Sequence, residues 1–155
     1  MEPELEIDSM ERVFREQHAR LWRALVLATG SRDIASDAAA EAFAQAIGRG
    51  SAIRDPAAWV WVAAFRIAKG ELAKRSAPGH LADDPMSWDP EPLVDVMRAL
   101  EELTRHQRTA VVLTDYAGYS HAEVAQILHS TAAAVAVHVH RGRRRLRSLL
   151  EVNDG

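Results

Sequence analysis

A chain of 155 residues that is 48% apolar and 26% charged has the composition of a folded globular protein, long enough to bury a core. It contains no cysteine, which excludes a disulfide framework and a thiolate metal site, and no apolar run approaches the roughly 18 to 20 residues that cross a bilayer. The net charge of −3 is unevenly spread: residues 76–100 carry five acidic side chains and one basic, whereas five arginines crowd into residues 141–147. Such asymmetry points to different tasks for different segments. The first ten residues, MEPELEIDSM, are acidic where a signal peptide is basic, so a cytoplasmic protein without membrane insertion is expected.

Apolar residues recur at helical spacing almost throughout, and no stretch alternates with period two long enough to be a strand. Asp8 and Glu11 have the spacing of an N-cap and its box partner. Met10, Val13, Phe14, Leu21, Leu25 and Ala28 then share one face of a helix that ends at Gly30. A second, alanine-rich helix over residues 32–47 offers Ile34, Ala38, Phe43 and Ile47 for burial, and Gly48 and Gly50 stop it. Asp55 before Pro56 opens a third helix, carrying Trp59, Trp61, Phe65, Ile67 and Leu72 to about residue 75. Trp59 and Trp61, two positions apart, lie on opposite sides of that helix, so at least one belongs to the core.

Residues 76–92 (SAPGHLADDPMSWDPEP) hold four of the six prolines and four acids, the composition of a linker. Helical periodicity resumes at Leu93, and Thr104 with Gln107 forms a capping box for a helix ending at Gly118. Ser120 with Glu123 forms another, before the apolar run of Val124, Ala125, Ile127 and Leu128. The pattern breaks at His129, Ser130 and Thr131, and Thr131 caps a last helix with Val135, Val139, Leu146 and Leu149 or Leu150 inward. Two short helices joined by a tight turn and followed by Arg141, Arg143, Arg144, Arg145 and Arg147 form a helix-turn-helix of the DNA-binding kind. The expected architecture is all-α, in two small helical domains: residues 1–75 and 93–155, joined by the acidic proline-rich linker 76–92.

Two stretches, in this order and at this separation, carry a family resemblance. In the C-terminal half, LTRHQR at 103–108 is similar to a Leu-Pro-x-x-x-Arg opening. Gly118, Ser120, Glu123 and Ala125 match Gly-x-Ser-x-x-Glu-Ile-Ala, and Val135, His140, Arg141 and Arg143 follow the pattern of a recognition helix. In the N-terminal half, Ala35, Asp37, Glu41 and Phe43 match Ala-x-Asp-x-x-Gln-Glu-x-Phe, and Ala58 with Trp59 begins an Ala-Trp-Leu-x-x-Ile-Ala helix. Together they resemble the extracytoplasmic-function (ECF) group of sigma-70 family RNA polymerase sigma factors. The resemblance implies that the second helix, with Asp37, Glu41 and Phe43, docks on core RNA polymerase. It implies that the third helix, with Trp59, Trp61, Arg66 and Lys69, melts and holds the promoter −10 element, where aromatic and cationic side chains suit single-strand capture. The helix-turn-helix would meet the −35 element through Thr131, His138, His140 and the arginines, and an anti-sigma factor would mask the whole. Five arginines on phosphates would give a log–log salt slope of about −4 to −5, and His138 and His140 a mild pH dependence.

The chain departs from the family pattern at working positions. The core-docking glutamine is Ala40. The asparagine and aspartate late in the third helix are Arg66 and Gly70, and the recognition helix has Ala134, Ala136, Val137 and His138 for threonine, lysine, serine and arginine. Two alternatives follow: a sigma-like decoy that binds polymerase or an anti-sigma factor without supporting transcription, and an ordinary dimeric helix-turn-helix regulator. No nucleophile triad, phosphate loop or paired catalytic carboxylates are present, so no enzyme, cofactor or metal centre is expected; His138 and His140 lie apart on a helix.

Overall fold

Five alanines decide how the first half packs. Ala35, Ala38, Ala39, Ala42 and Ala46 recur at helical spacing and are all fully buried, so the helix carrying them approaches its neighbours closely on two sides. The computed structural model describes the backbone of residues 3–75 and 91–153, and side chains of 8–75 and 94–151. Helix α1 (Pro3–Thr29) and α3 (Pro56–Arg75) pack on the alanine-rich α2 (Arg32–Arg49). Leu21, Leu25, Ile34, Val60 and Trp61 fill the space between them.

The ends follow local chemistry. Gly30, at φ 73°, closes α1 in the left-handed region that glycine tolerates, and the Ser31 hydroxyl accepts from the Ile34 amide at 3.1 Å to open α2. Asp55 accepts from the Ala58 amide at 3.2 Å, with Pro56 at the first position of α3. Three sequence expectations are corrected. Asp8 is inside α1, which begins five residues earlier, and is no N-cap. Gly48 lies within α2, which Gly50 ends. Phe14 and Ile47 are 45% and 63% exposed, because Ala46 takes the inward position beside Ile47, and Phe14 stacks on His18 at the surface.

In the second half α4 (Glu91–Glu101) starts with Pro92 in its first turn, where a missing N–H costs nothing. Both predicted capping boxes are formed: Thr104 with Gln107 opens α5 (Arg105–Val111), and Ser120 with Glu123 opens α6 (His121–Leu128). A π-helical turn over Val112–Tyr116 follows α5, and α7 (Ala132–Asn153) completes the chain. The described residues are helical with no strand, and no helix among them is long and apolar enough to cross a membrane. The expected linker lies almost wholly outside the described residues.

The two helical groups are packed together by specific contacts. Arg20 on α1 donates to the Ala117 carbonyl at 2.5 Å. Trp61 on α3 meets the Tyr119 ring edge-on at 5.5 Å, and burial, aided by the Glu123 charge, pushes the Tyr119 hydroxyl up to about 12. Arg108 on α5 reaches the end of α1, where its Nε donates to the Leu27 carbonyl at 2.6 Å.

Candidate nucleic-acid interface

The helix-turn-helix is assembled from its caps. His129 ends α6 in the left-handed conformation, φ 52°, a turn that a short polar-tipped side chain tolerates better than a branched one. Two residues later the Thr131 hydroxyl accepts from the Ala134 amide at 3.1 Å. That hydrogen bond starts α7 and fixes the side chain expected to meet DNA, using its oxygen as acceptor. Val135 and Val139 anchor α7 inward, and Gly142 lets it touch α5. Ala133, Val137, His140, Arg141, Arg144 and Arg147 are exposed.

The arginine cluster is not one uniform grip. Arg143 makes a two-pronged ion pair with Asp115 of the π turn, its Nε at 2.9 Å from one carboxylate oxygen, and that bond raises the guanidinium pKa. Arg145 sits 4.0 Å from Glu102 on the other side. Among the described residues no carboxylate pairs with Arg141, Arg144 or Arg147. Of the five arginines expected on phosphates, two are therefore tied to the protein's own acids.

His138 and His140 part company as their spacing requires. His140 is exposed, whereas His138 is half-buried with its ring 5.3 Å from that of His106 on α5. Burial, then His106 and Arg141, hold His138 below the ordinary imidazole range. It lines a cleft of about 350 Å³ between the two helical groups, floored by Phe65, Leu72, Leu128 and Val135 and rimmed by Lys69, Arg105 and His106. The structure therefore brings Lys69 and His138, expected on separate DNA elements, to one cleft. Arg66 likewise faces α6, sharing a shallow recess with Gln126 and His129.

On α3 the two tryptophans divide. Trp61 is 2% exposed, its indole N–H donating to Gln17 at 2.9 Å, so this expected DNA contact is a core residue. Trp59 is half-buried, with the Arg49 guanidinium 5.4 Å from its ring centre. On α2, Asp37 and Glu41 are exposed one turn apart, and Phe43, expected beside them on the polymerase face, is 4% exposed and packs inward. The aromatic ring that reaches the surface next to it is Phe14, at 5.0 Å. Sequence reasoning also missed Asp115 and His106, and it saw Arg108 only as the last residue of a motif; the partners of all three lie far away along the chain.

The pattern of sigma-70 region 4 matches residues 93–146, which contain α6, the turn and α7 as far as Leu146. Over 153 aligned residues, covering 92% of this chain and 77% of the relative, the sequence is 31% identical to the ECF RNA polymerase sigma factor SigM of Mycobacterium tuberculosis, in two strains. The chain belongs to the ECF RNA polymerase sigma factors. The fold of this sigma factor matches RpoE from Bartonella quintana, solved with the anti-sigma factor NepR, at a TM-score of 0.78 and 21% identity, covering 93% of this chain and 98% of that one. It also matches CnrH, solved with the cytosolic domain of CnrY, at 0.71 and 20% identity over 94% and 89%. Those two likenesses speak for the fold.

Proposed function

We propose that this ECF sigma factor carries core RNA polymerase to promoter DNA with its tasks divided between its halves, and without catalytic chemistry of its own. The α1–α3 group docks on the core through the exposed carboxylates Asp37 and Glu41, and engages the −10 element with Trp59, Arg66 and Lys69. The α4–α7 group lays α7 in the major groove of the −35 element, with Arg141, Arg144 and Arg147 on phosphates, contacts that position the protein without specifying sequence. The observation that carries this reading is the doubly capped α6–turn–α7 unit, whose exposed Arg141 and Arg144 lie inside the stretch that matches sigma-70 region 4. A masking anti-sigma factor in the cytoplasm is part of the proposal, supported by the RpoE–NepR complex whose sigma chain has this fold.

The decoy reading is favoured by two observations: Ala40 replaces the family's core-docking glutamine, and the outward face of α7 is nearly without base-reading groups. Run-off transcription decides between them. Purified protein added to core polymerase on genomic fragments should give promoter-specific transcripts; a stable complex that stays silent on every template would establish the decoy. Tight sequence-specific duplex binding without core polymerase would point to an ordinary regulator.

A further inference from the structure

The outward face of α7 is unusual for a helix in water. At about 100° per residue, Val137 lies opposite the buried Val135 and Val139. Ala133 precedes it by one turn, and His140, Arg141 and Arg144 follow over the next two. Val137 is 45% exposed. An exposed helix position gains nothing from a β-branched side chain, which is a poorer helix former than arginine, lysine or glutamate. The first two turns of α7 therefore present methyl groups to the outside, and the next two present cations.

Such a face has few ways to read a base pair. The Thr131 hydroxyl, whose oxygen accepts the cap, stands at the very start of the helix and His138 is turned to the cleft, so residues 132–139 offer the groove no side-chain donor on the outward side. In the major groove guanine, cytosine and adenine show hydrogen-bonding edges, and only thymine adds a methyl group. An aliphatic side chain over a polar edge displaces water without replacing its hydrogen bonds, which is unfavourable. Over a thymine methyl the same side chain buries apolar surface on both partners. We infer that the outward face of α7, centred on Val137, reads thymine: it takes the C5-methyl groups of neighbouring A·T pairs and gives this sigma factor a thymine-dependent −35 element. The inference rests on the proposed placement of α7 in the major groove.

Replacing thymine by deoxyuridine removes that methyl and nothing else. On a promoter found by run-off transcription, each −35 thymine is changed singly to deoxyuridine, and binding of the reconstituted holoenzyme is measured by titration. At one or two positions the change should weaken binding about fourfold, the worth of one buried methyl, while the same change in the spacer has no effect. Val137→Ala should bind thymine and deoxyuridine templates alike at those positions, with its salt dependence unchanged. Equal binding of the two templates by the native holoenzyme would overturn the inference, as would a thymine preference that survives in Val137→Ala. A holoenzyme that gives no promoter-specific transcript overturns the sigma reading itself, and the thymine reading with it.

Discussion

Two glycines inside helices make opposite demands on their surroundings. Nothing lies within 4 Å of where a Cβ on Gly70 would stand, whereas one on Gly142 would sit 2.6 Å from Val111 Cγ2 and 3.4 Å from the Gln107 carbonyl. Gly70→Ala should therefore stabilise by about 0.5–1 kcal/mol, the helix-propensity difference. Gly142→Ala gains the same propensity but forces α7 off α5, and overpacking costs about 1–3 kcal/mol. The net is a loss of up to about 2 kcal/mol. Thermal unfolding of the pair should move the midpoint up for the first and down for the second, and a rise for Gly142→Ala would mean that the α5–α7 contact yields easily. The cost of Gly70 was legible in the sequence because propensity is local. The need for Gly142 was not, because it is set by a side chain thirty-one positions away in a helix whose packing no local pattern specifies. The tryptophans show the same limit: spacing divides Trp59 from Trp61, but only the fold says which one is buried.

At the scale of the element, the caps of α5, α6 and α7 were readable; the start of α1 and the partners were not. The capping boxes of α5 and α6 and the hydroxyl cap of α7 each join residues three positions apart, so their geometry is written in a short run of sequence. The arginine cluster was equally visible, yet its division between phosphate and protein depends on Asp115 and Glu102, which come from other elements. With Arg143 tied to Asp115 and Arg145 beside Glu102, three arginines remain to neutralise phosphates. The log–log salt slope of −35 duplex binding from that source should then be about −2.7 rather than −4 to −5. Asp115→Asn removes the competing charge and returns Arg143 to the DNA. Its duplex affinity should rise, and its slope should steepen by about 0.9. Titrations across a range of salt check both numbers. An unchanged slope in Asp115→Asn would mean that Arg143 points away from the DNA with or without its partner.

For the molecule as a whole, the all-helical fold and its helix order followed from periodicity. The way the two groups meet did not, since it turns on Arg108 and a carbonyl 81 positions away. Near the end of α1 the Ser31 amide turns to the Thr29 hydroxyl at 3.2 Å, leaving the Leu27 carbonyl without its usual donor four residues on. Arg108 supplies the missing hydrogen bond, and its cation stands at the negative end of the helix. Burial is the main reason its pKa drops to about 10, which still leaves it charged at neutral pH. Gly30 makes room for it: a Cβ there would come 3.3 Å from the guanidinium. Arg108→Ala leaves the Leu27 carbonyl unsatisfied and removes the stem that fills the contact, at a cost of at least about 1.5 kcal/mol. The two helical groups should separate, seen as a larger radius of gyration by small-angle scattering and a lower unfolding midpoint. Arg66 and Lys69 are exposed but stand at a recess against α6 and at the cleft, so separation would widen the approach of a DNA strand to them, and affinity for single-stranded −10 DNA should rise. A variant that merely unfolds would expand and lose that affinity. One that neither expands nor gains affinity would show that Arg108 fastens α5 locally and has no part in holding the halves together.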